Sequence, residues 1–164
     1  MKLAILVLED EPAVRTAISR DLADFAGTVR IELAEDVPDA WDVIGEITAD
    51  GDLLALILSD HRLPGATGVD FLVASTTDPR AANARRVLVT GQAGHADTIR
   101  ALNQGRLHHY IAKPWASGEL QQVTRDQLTT FVLENGVDPL IALPALDATR
   151  AMAALRRRPD GSST

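Results

Sequence analysis

The chain has no cysteine among its 164 residues. That excludes disulfides, thiolate nucleophiles and cysteine-held metals. Its four histidines do not fall at zinc-site spacings. Basic side chains are outnumbered, 16 against 23 acidic, for a net charge of −7. That sign argues against a general nucleic-acid-binding surface. Long apolar runs are missing too. The N-terminal run over Leu3 to Leu8 is too short for a signal or a membrane span, and it meets Glu9-Asp10-Glu11 at once. A cytoplasmic protein with no membrane contact is expected. Neither G-x-G-x-x-G nor a P-loop lysine occurs, so no nucleotide-binding loop is supported. No repeat or low-complexity tract is present. With 46% hydrophobic and 24% charged residues, the chain has the composition of one globular domain with a core and room for an appendage.

What is present is alternation. Leu3 to Leu8 reads as a buried strand, and Pro12 fits the first turn of a helix. Val14, Ile18, Leu22 and Phe25 mark the inner face of that helix, and Gly27 closes it. Residues 29–34 form a second, less apolar strand, suited to an edge. Asp36 is a plausible N-cap, with Ala40, Trp41, Ile44 and Ile47 on the buried face that follows. Residues 53–58 are a third strand running into Asp60. A helix over 69–77, a strand over 86–90, a helix over 96–104 and a strand over 107–112 continue the order. A last helix, capped by Ser117, carries Leu120, Val123, Leu128 and Phe131 and stops at Asn135-Gly136. Five strands alternating with five helices imply an α/β fold, a parallel sheet covered on both faces.

Polar residues follow the strands in a pattern. Glu9 and Asp10 follow the first, Asp60 the third, Thr90 the fourth and Lys113 the fifth. In a parallel sheet these carboxyl ends converge on one edge, where such folds bind ligands. Singly, each has a plain structural role: Asp60 as a cap, Glu9-Asp10-Glu11 at a helix N-terminus, Thr90 as a β-former, Lys113 as a solvated charge. Their joint placement points to a site, with Asp60 expected at the surface of the strand edge.

Four motifs then carry a resemblance. Leu6-Val7-Leu8-Glu9-Asp10-Glu11-Pro12, Leu58-Ser59-Asp60-His61-Arg62-Leu63-Pro64-Gly65 with Gly68, Val89-Thr90-Gly91, and Tyr110-Ile111-Ala112-Lys113-Pro114 resemble the CheY-like receiver domain of two-component response regulators. The resemblance covers about residues 1–134. It implies a doubly wound, flavodoxin-like sheet in the order 2-1-3-4-5. It further implies that Asp60 accepts a phosphoryl group from a phosphohistidine on a sensor histidine kinase or phosphotransfer protein. Asp10, Asp60 and the main-chain carbonyl of Arg62 would hold Mg²⁺, with Glu9 joining through water. Thr90 would hydrogen-bond the phosphoryl group, and Lys113 would pair with it. Thr90 and Tyr110 would form the switch that passes the signal to an unknown output. The implied role is a phosphoacceptor rather than an enzyme. Two departures stand out: Glu9, where many members have Asp, and a few extra residues near Asp50-Gly51-Asp52. An Mg²⁺-dependent phosphohydrolase is an alternative, but position 62 is not acidic, and a common general-acid placement is therefore missing. A receiver-like scaffold that does not signal is a second alternative, disfavoured by the complete acidic set.

Residues 135–158 are expected to be a helical extension, and 159–164 a disordered tail or linker. Asp138-Pro139 reads as a helix start, and Pro144 interrupts it. Leu140, Ile141, Met152 and Leu155 are expected to be buried. They would lie against the receiver near Tyr110 and the 96–104 helix, or in a homodimer through the C-terminal helix. The segment is too short for a helix-turn-helix output, so direct DNA binding is not expected. Arg156-Arg157-Arg158 suits a solvated helix end. The chain is either a complete single-domain regulator or a receiver cut from a longer protein.

Overall fold

The computed structural model describes residues 1–91 and 94–158, apart from the side chain of His95. Part of the 91–94 loop and the whole 159–164 tail therefore lie outside the described residues.

An apolar run without alternation needs cover on both faces. β1 (Leu3–Leu8) has it, with all six residues buried. β3 (Leu53–Ser59) is buried along all but its first residue. β2 (Arg30–Ala34) is half-buried and lies at one edge; β4 (Arg85–Val89) and β5 (His109–Ile111) complete the sheet. The order is β2-β1-β3-β4-β5, and every pairing is parallel. The flavodoxin-like arrangement implied by the motifs is therefore present. One element was not anticipated: Arg62–Leu63 pairs antiparallel with Ala66–Thr67, closing a small hairpin just after Asp60.

The helices are α1 (Pro12–Asp21), α2 (Val37–Ala49), α3 (Gly68–Ser75), α4 (His95–Asn103), α5 (Glu119–Glu134) and α6 (Ala148–Arg156). Asp36 caps α2 as expected, its carboxylate accepting from the Asp39 N–H at 2.8 Å. Two boundaries differ. α1 ends at Asp21, and a 3-10 turn over Ala23–Phe25 carries the chain on to Gly27. Ser117 does not cap α5. Gly118 does, at φ 83°, a conformation that serine would reach only at a cost.

Two apolar layers sandwich the sheet. On one face Ile5 and Val7 meet Ile18, Leu22 and Phe25 from the α1 side and Leu128 and Phe131 of α5. On the other, Leu6 and Leu8 meet Ile44, Ile47, Phe71 and Leu72 of α2 and α3. α4 adds only Ala101 to that second layer.

After α5 the chain makes two 3-10 turns, Pro139–Ile141 and Leu143–Ala145, and then α6. Ala142, Ala145, Leu146 and Ala151 join the α1/α5 layer. The expected face is therefore wrong: Leu140 is 62% and Met152 43% exposed, and Ile141 and Leu155 are half-buried. Pro139 and Pro144 impose short three-residue turns, which change the register and turn small alanines inward. The location differs as well, since Tyr110 packs with the opposite layer. Polar contacts fasten the segment: Arg125 donates to the carbonyls of Pro144 and Leu146, both at 3.1 Å, and the Asp147 N–H donates to Thr129 Oγ1 at 2.8 Å. No described helix is long and apolar enough to cross a membrane.

Candidate functional site

The sheet ladder itself delivers the polar groups. The Glu9 N–H bonds to Ala34 O at 3.0 Å, the Asp60 N–H to Leu8 O at 2.9 Å and the Thr90 N–H to Ile111 O at 3.0 Å. The ladders of β1, β3 and β4 thus run one residue past each strand and end at the same edge. Asp10, Asp60, Arg62, Thr90 and Lys113 line a single cavity of about 490 Å³ there. Glu9 lies beneath it, 1% exposed. Asp60 is 6% exposed, so it forms the floor and is not the surface residue expected from the strand pattern.

Lys113 ties the carboxylates together. Its Nζ is 2.6 Å from Glu9 Oε2 and 3.1 Å from Asp60 Oδ2. The other oxygens have main-chain donors: Glu11 N–H to Glu9 Oε1 at 3.1 Å, and His61 N–H to Asp60 Oδ1 at 2.7 Å. Burial pushes the Glu9 carboxyl above its ordinary pKa, although the Lys113 hydrogen bond opposes this. Burial would lower the Lys113 ammonium, yet the Glu9 hydrogen bond and the Asp60 charge outweigh it, so its pKa is raised. One ammonium serves two buried carboxylates, with Asp10 alongside.

Glu9, Asp10 and Asp60 can each place an oxygen within 4.8 Å of the others. An all-oxygen, all-carboxylate set suits a hard divalent cation such as Mg²⁺, and a cation relieves crowding that one lysine cannot. The longer Glu9 chain does not disturb this grouping. Its extra methylene lets the carboxylate sit below the cavity against Lys113 while Asp10 stays at the opening.

Gly68 is required by close approach. A Cβ on it would lie 1.7 Å from the Asp60 carbonyl oxygen, and its N–H bonds to His61 O at 2.7 Å. The hairpin between His61 and Gly68 is thereby folded hard against the strand end. Tyr110 does not line the cavity; its hydroxyl donates to the Thr90 carbonyl at 2.8 Å. The Lys113-Pro114 bond is cis.

Two contributors were not anticipated. Arg15 donates to the carbonyls of Glu9 and Asp10 at 2.8 and 3.0 Å, bracing the acidic corner from α1. His61, 5% exposed, places Nε2 3.1 Å from Asp97 of α4, linking the loop after Asp60 to that helix. An arginine one turn into a helix, or a histidine after a strand-end aspartate, carries no signal in sequence; only the packing identifies them.

The comparisons with known proteins agree with this geometry. A family model described as the response regulator receiver domain matches residues 5–125. Response regulator Rre1 of Synechocystis sp. is 29% identical over 126 residues, covering 77% of this chain and 52% of that one. Chemotaxis protein CheY1 of Helicobacter pylori is 28% identical over 118 residues, covering 72% of this chain and 90% of its own. The chain spans between a quarter and about half the length of Rre1 and of the hydrogenase transcriptional regulators HoxA that it also matches. Among solved structures, the signal receiver domain of an HD domain-containing protein from Pseudomonas fluorescens superposes with a TM-score of 0.71 at 21% identity. That match covers 82% of this chain and 93% of the other.

Proposed function

The chain belongs to the response regulator receiver domain family, the phosphoacceptors of two-component signalling, and from that premise we propose that Asp60 is its phosphoryl acceptor. The observation that carries the proposal is the Asp60 carboxylate itself. It is buried at a strand end, held by the His61 N–H on one oxygen and by Lys113 Nζ on the other, with Glu9 and Asp10 within reach.

The reaction is a displacement at phosphorus. An Asp60 oxygen forms the new O–P bond as the bond to the phosphohistidine nitrogen breaks, and the donor imidazole departs with its electron pair. Catalysis of this kind is mostly positioning and charge stabilisation. The His61 N–H fixes the rotation of the carboxylate. Lys113 sits beside the same group and balances charge as the acyl phosphate forms. Thr90, at the end of β4, supplies a hydroxyl for the new phosphoryl oxygens. Asp10, Asp60 and the Arg62 carbonyl would hold Mg²⁺ directly, and Glu9 through water. When bound, the ion neutralises carboxylate and phosphoryl charge.

The signal would pass through Thr90 and Tyr110. The Tyr110 hydroxyl already rests on the Thr90 carbonyl, so movement of the Thr90 segment toward a new dianion also moves the anchor of the ring. This biases an existing equilibrium rather than creating a new state. A sensor histidine kinase or phosphotransfer protein is the donor in this reading, and a cytoplasmic location goes with it. We divide the chain into a receiver over 1–134 and an extension over 135–158. The extension packs in cis on α5, which supports a monomeric role for that segment over a dimer contact.

Intact mass tests the assignment. After acetyl phosphate and Mg²⁺, the full chain gains one phosphoryl group, and Asp60→Asn gains none while keeping its fold. An adduct of equal yield in Asp60→Asn would overturn the acceptor assignment. Turnover of acetyl phosphate without an adduct would favour a hydrolase, which the exposed Arg62 two positions after Asp60 does not support.

A further inference from the structure

A second cavity, of about 270 Å³, lies at the opposite end of the sheet. The chain entering β4, the chain entering β5 and the end of α5 enclose it, and Asn83, Arg85, Arg86, Arg106, His108 and Glu134 are among its lining residues. At about 3.3 Å per residue, β4 separates it from the acidic cavity by roughly 15 Å.

Its positive charge is only partly matched. Arg86 is 1% exposed and holds Ser75 Oγ and the carbonyls of Ala81 and Ala84 at 2.8, 2.8 and 2.9 Å. No carboxylate pairs with it among the described residues. Arg85 bonds to Gln127 at 2.8 Å and to Glu134 at 3.2 Å. Arg106 makes no hydrogen bond or ion pair among the described residues. Three guanidinium charges thus lie near one carboxylate, although the Arg86 group is turned to the other face of β4 and its donors are already taken. The carboxyl end of α5 supplies about half a negative charge more, leaving roughly one and a half positive charges unmatched. This stands out in a chain of net charge −7. The burial and like charge around Arg86 lower its pKa to about 10, with Arg106 and Arg85 as the named neighbours.

The free hydrogen-bonding groups on its arginine and histidine side chains are donors. His108 Nδ1 accepts the Arg86 N–H at 2.8 Å, so the neutral imidazole carries its proton on Nε2. That N–H, the Arg106 guanidinium and the remaining Arg85 N–H groups have no acceptor among the described residues, and the one carboxylate is taken by Arg85. The volume is smaller than the usual range for drug-sized ligands, yet holds several waters. It suits a tetrahedral ion better than a nucleotide.

We propose that this cavity binds a small tetrahedral oxyanion of the phosphate or sulfate class, with Arg106 as its principal ligand. Arginine matches such ions through paired N–H groups. The site is independent of phosphoryl transfer at Asp60.

The test titrates inorganic phosphate, and separately sulfate, into the full chain with EDTA at constant ionic strength. Amide resonances and the His108 ring report binding. Saturable shifts confined to residues 83–86 and 106–108 are expected. Equal responses to both ions identify a general tetrahedral-dianion site, and a response to phosphate alone identifies a phosphate site. Arg106→Gly weakens binding by about tenfold or more, the loss of a charged hydrogen bond. Glycine accepts the φ of 49° at Arg106 freely, so misfolding does not explain a loss there. Asp60→Asn binds as the unaltered chain does. Shifts matched by chloride, no saturation, saturation at the Asp60 cavity instead, or an unchanged affinity in Arg106→Gly would each overturn the proposal.

Discussion

At the carboxyl ends of β1, β3 and β5, two buried carboxylates share one lysine with a third, Asp10, alongside; at the amino ends of β4 and β5, three arginines gather around one glutamate. The strands between are the same, and their apolar cores differ little. The difference lies in how tightly each lone counter-charge is held. Lys113 reaches two carboxylates that are almost completely buried, Glu9 and Asp60, and it stands where both can reach it. Among the described residues Glu134 pairs only with Arg85, and its side chain is 60% exposed. One end therefore depends on its counter-ion, and the other carries its excess charge partly in solvent. The acidic end has a carboxylate grouping that a divalent cation would complete. The basic end tolerates its charge by engaging Arg86 with carbonyls.

Removing each lone counter-charge breaks the comparison most sharply. Lys113→Met leaves Glu9 and Asp60 buried without a cation. Breaking a buried pair costs about 3–5 kcal/mol, and the 20% exposure of the Lys113 side chain places this case at the low end, near 3 kcal/mol. Glu134→Gln removes an exposed partner and costs less than about 1 kcal/mol. Urea melts of both variants in EDTA check the ordering. Mg²⁺ should narrow the deficit of Lys113→Met, because an ion bound only by the folded state stabilises it by mass action. Equal losses in the two variants would remove the asymmetry.

A smaller effect sharpens the basic end. Burial first, then the charges of Arg85 and Arg86, lower the His108 pKa from 6.5 to about 4. Between those values the unfolded chain binds the proton that the folded chain refuses. Stability from this group is therefore complete above pH 6.5 and is lost as pH falls toward 4. His108 is only half-buried, and solvent screening reduces the effect to about 1–2 kcal/mol. His108→Asn keeps an acceptor for the Arg86 N–H and does not titrate. Melts at pH 6.5 and 4.5 should show the unaltered chain losing more than the variant. Parallel losses would mean that the ring accepts its proton at no cost.

The acidic end was legible because an apolar run that stops at a polar residue shows where a buried strand finishes. Leu8 to Glu9, Leu58 to Ser59-Asp60, Val89 to Thr90 and Ala112 to Lys113 all read that way. The parallel architecture then brings them together with no further information. The basic end offered no such boundary. Asn83 precedes one strand and Arg85 and Arg86 open it, Arg106 and His108 precede another, and Glu134 ends a helix. Their meeting depends on β4 and β5 being neighbours and on where α5 stops. Arg15 and His61 escaped for a similar reason, since each acts through a main-chain group. The extension was legible as helical and covered, but its face was not. Two prolines shifted the register, so Leu140 and Met152 face solvent while Ala142, Ala145, Leu146 and Ala151 meet the core.

The smallest expected effect concerns the backbone at the basic end. Arg106 is a non-glycine residue at positive φ, 49°. Left-handed geometry costs an L-residue roughly 1–2 kcal/mol, while glycine there adds about 0.5–1 kcal/mol of unfolded-state entropy to be overcome. Arg106→Gly also removes a charge that crowds Arg86. The backbone effects on balance favour the variant slightly, and the relief of repulsion adds to it. The variant should melt at the same temperature or up to about 3 °C higher in phosphate-free buffer. Adding phosphate should then separate the two proteins in the other direction, stabilising only the chain that keeps its guanidinium. A variant that melts lower without phosphate would show that Arg106 holds the loop before β5 through a contact that stabilises the fold. The basic end would then be structural in the same sense as Lys113 at the acidic end.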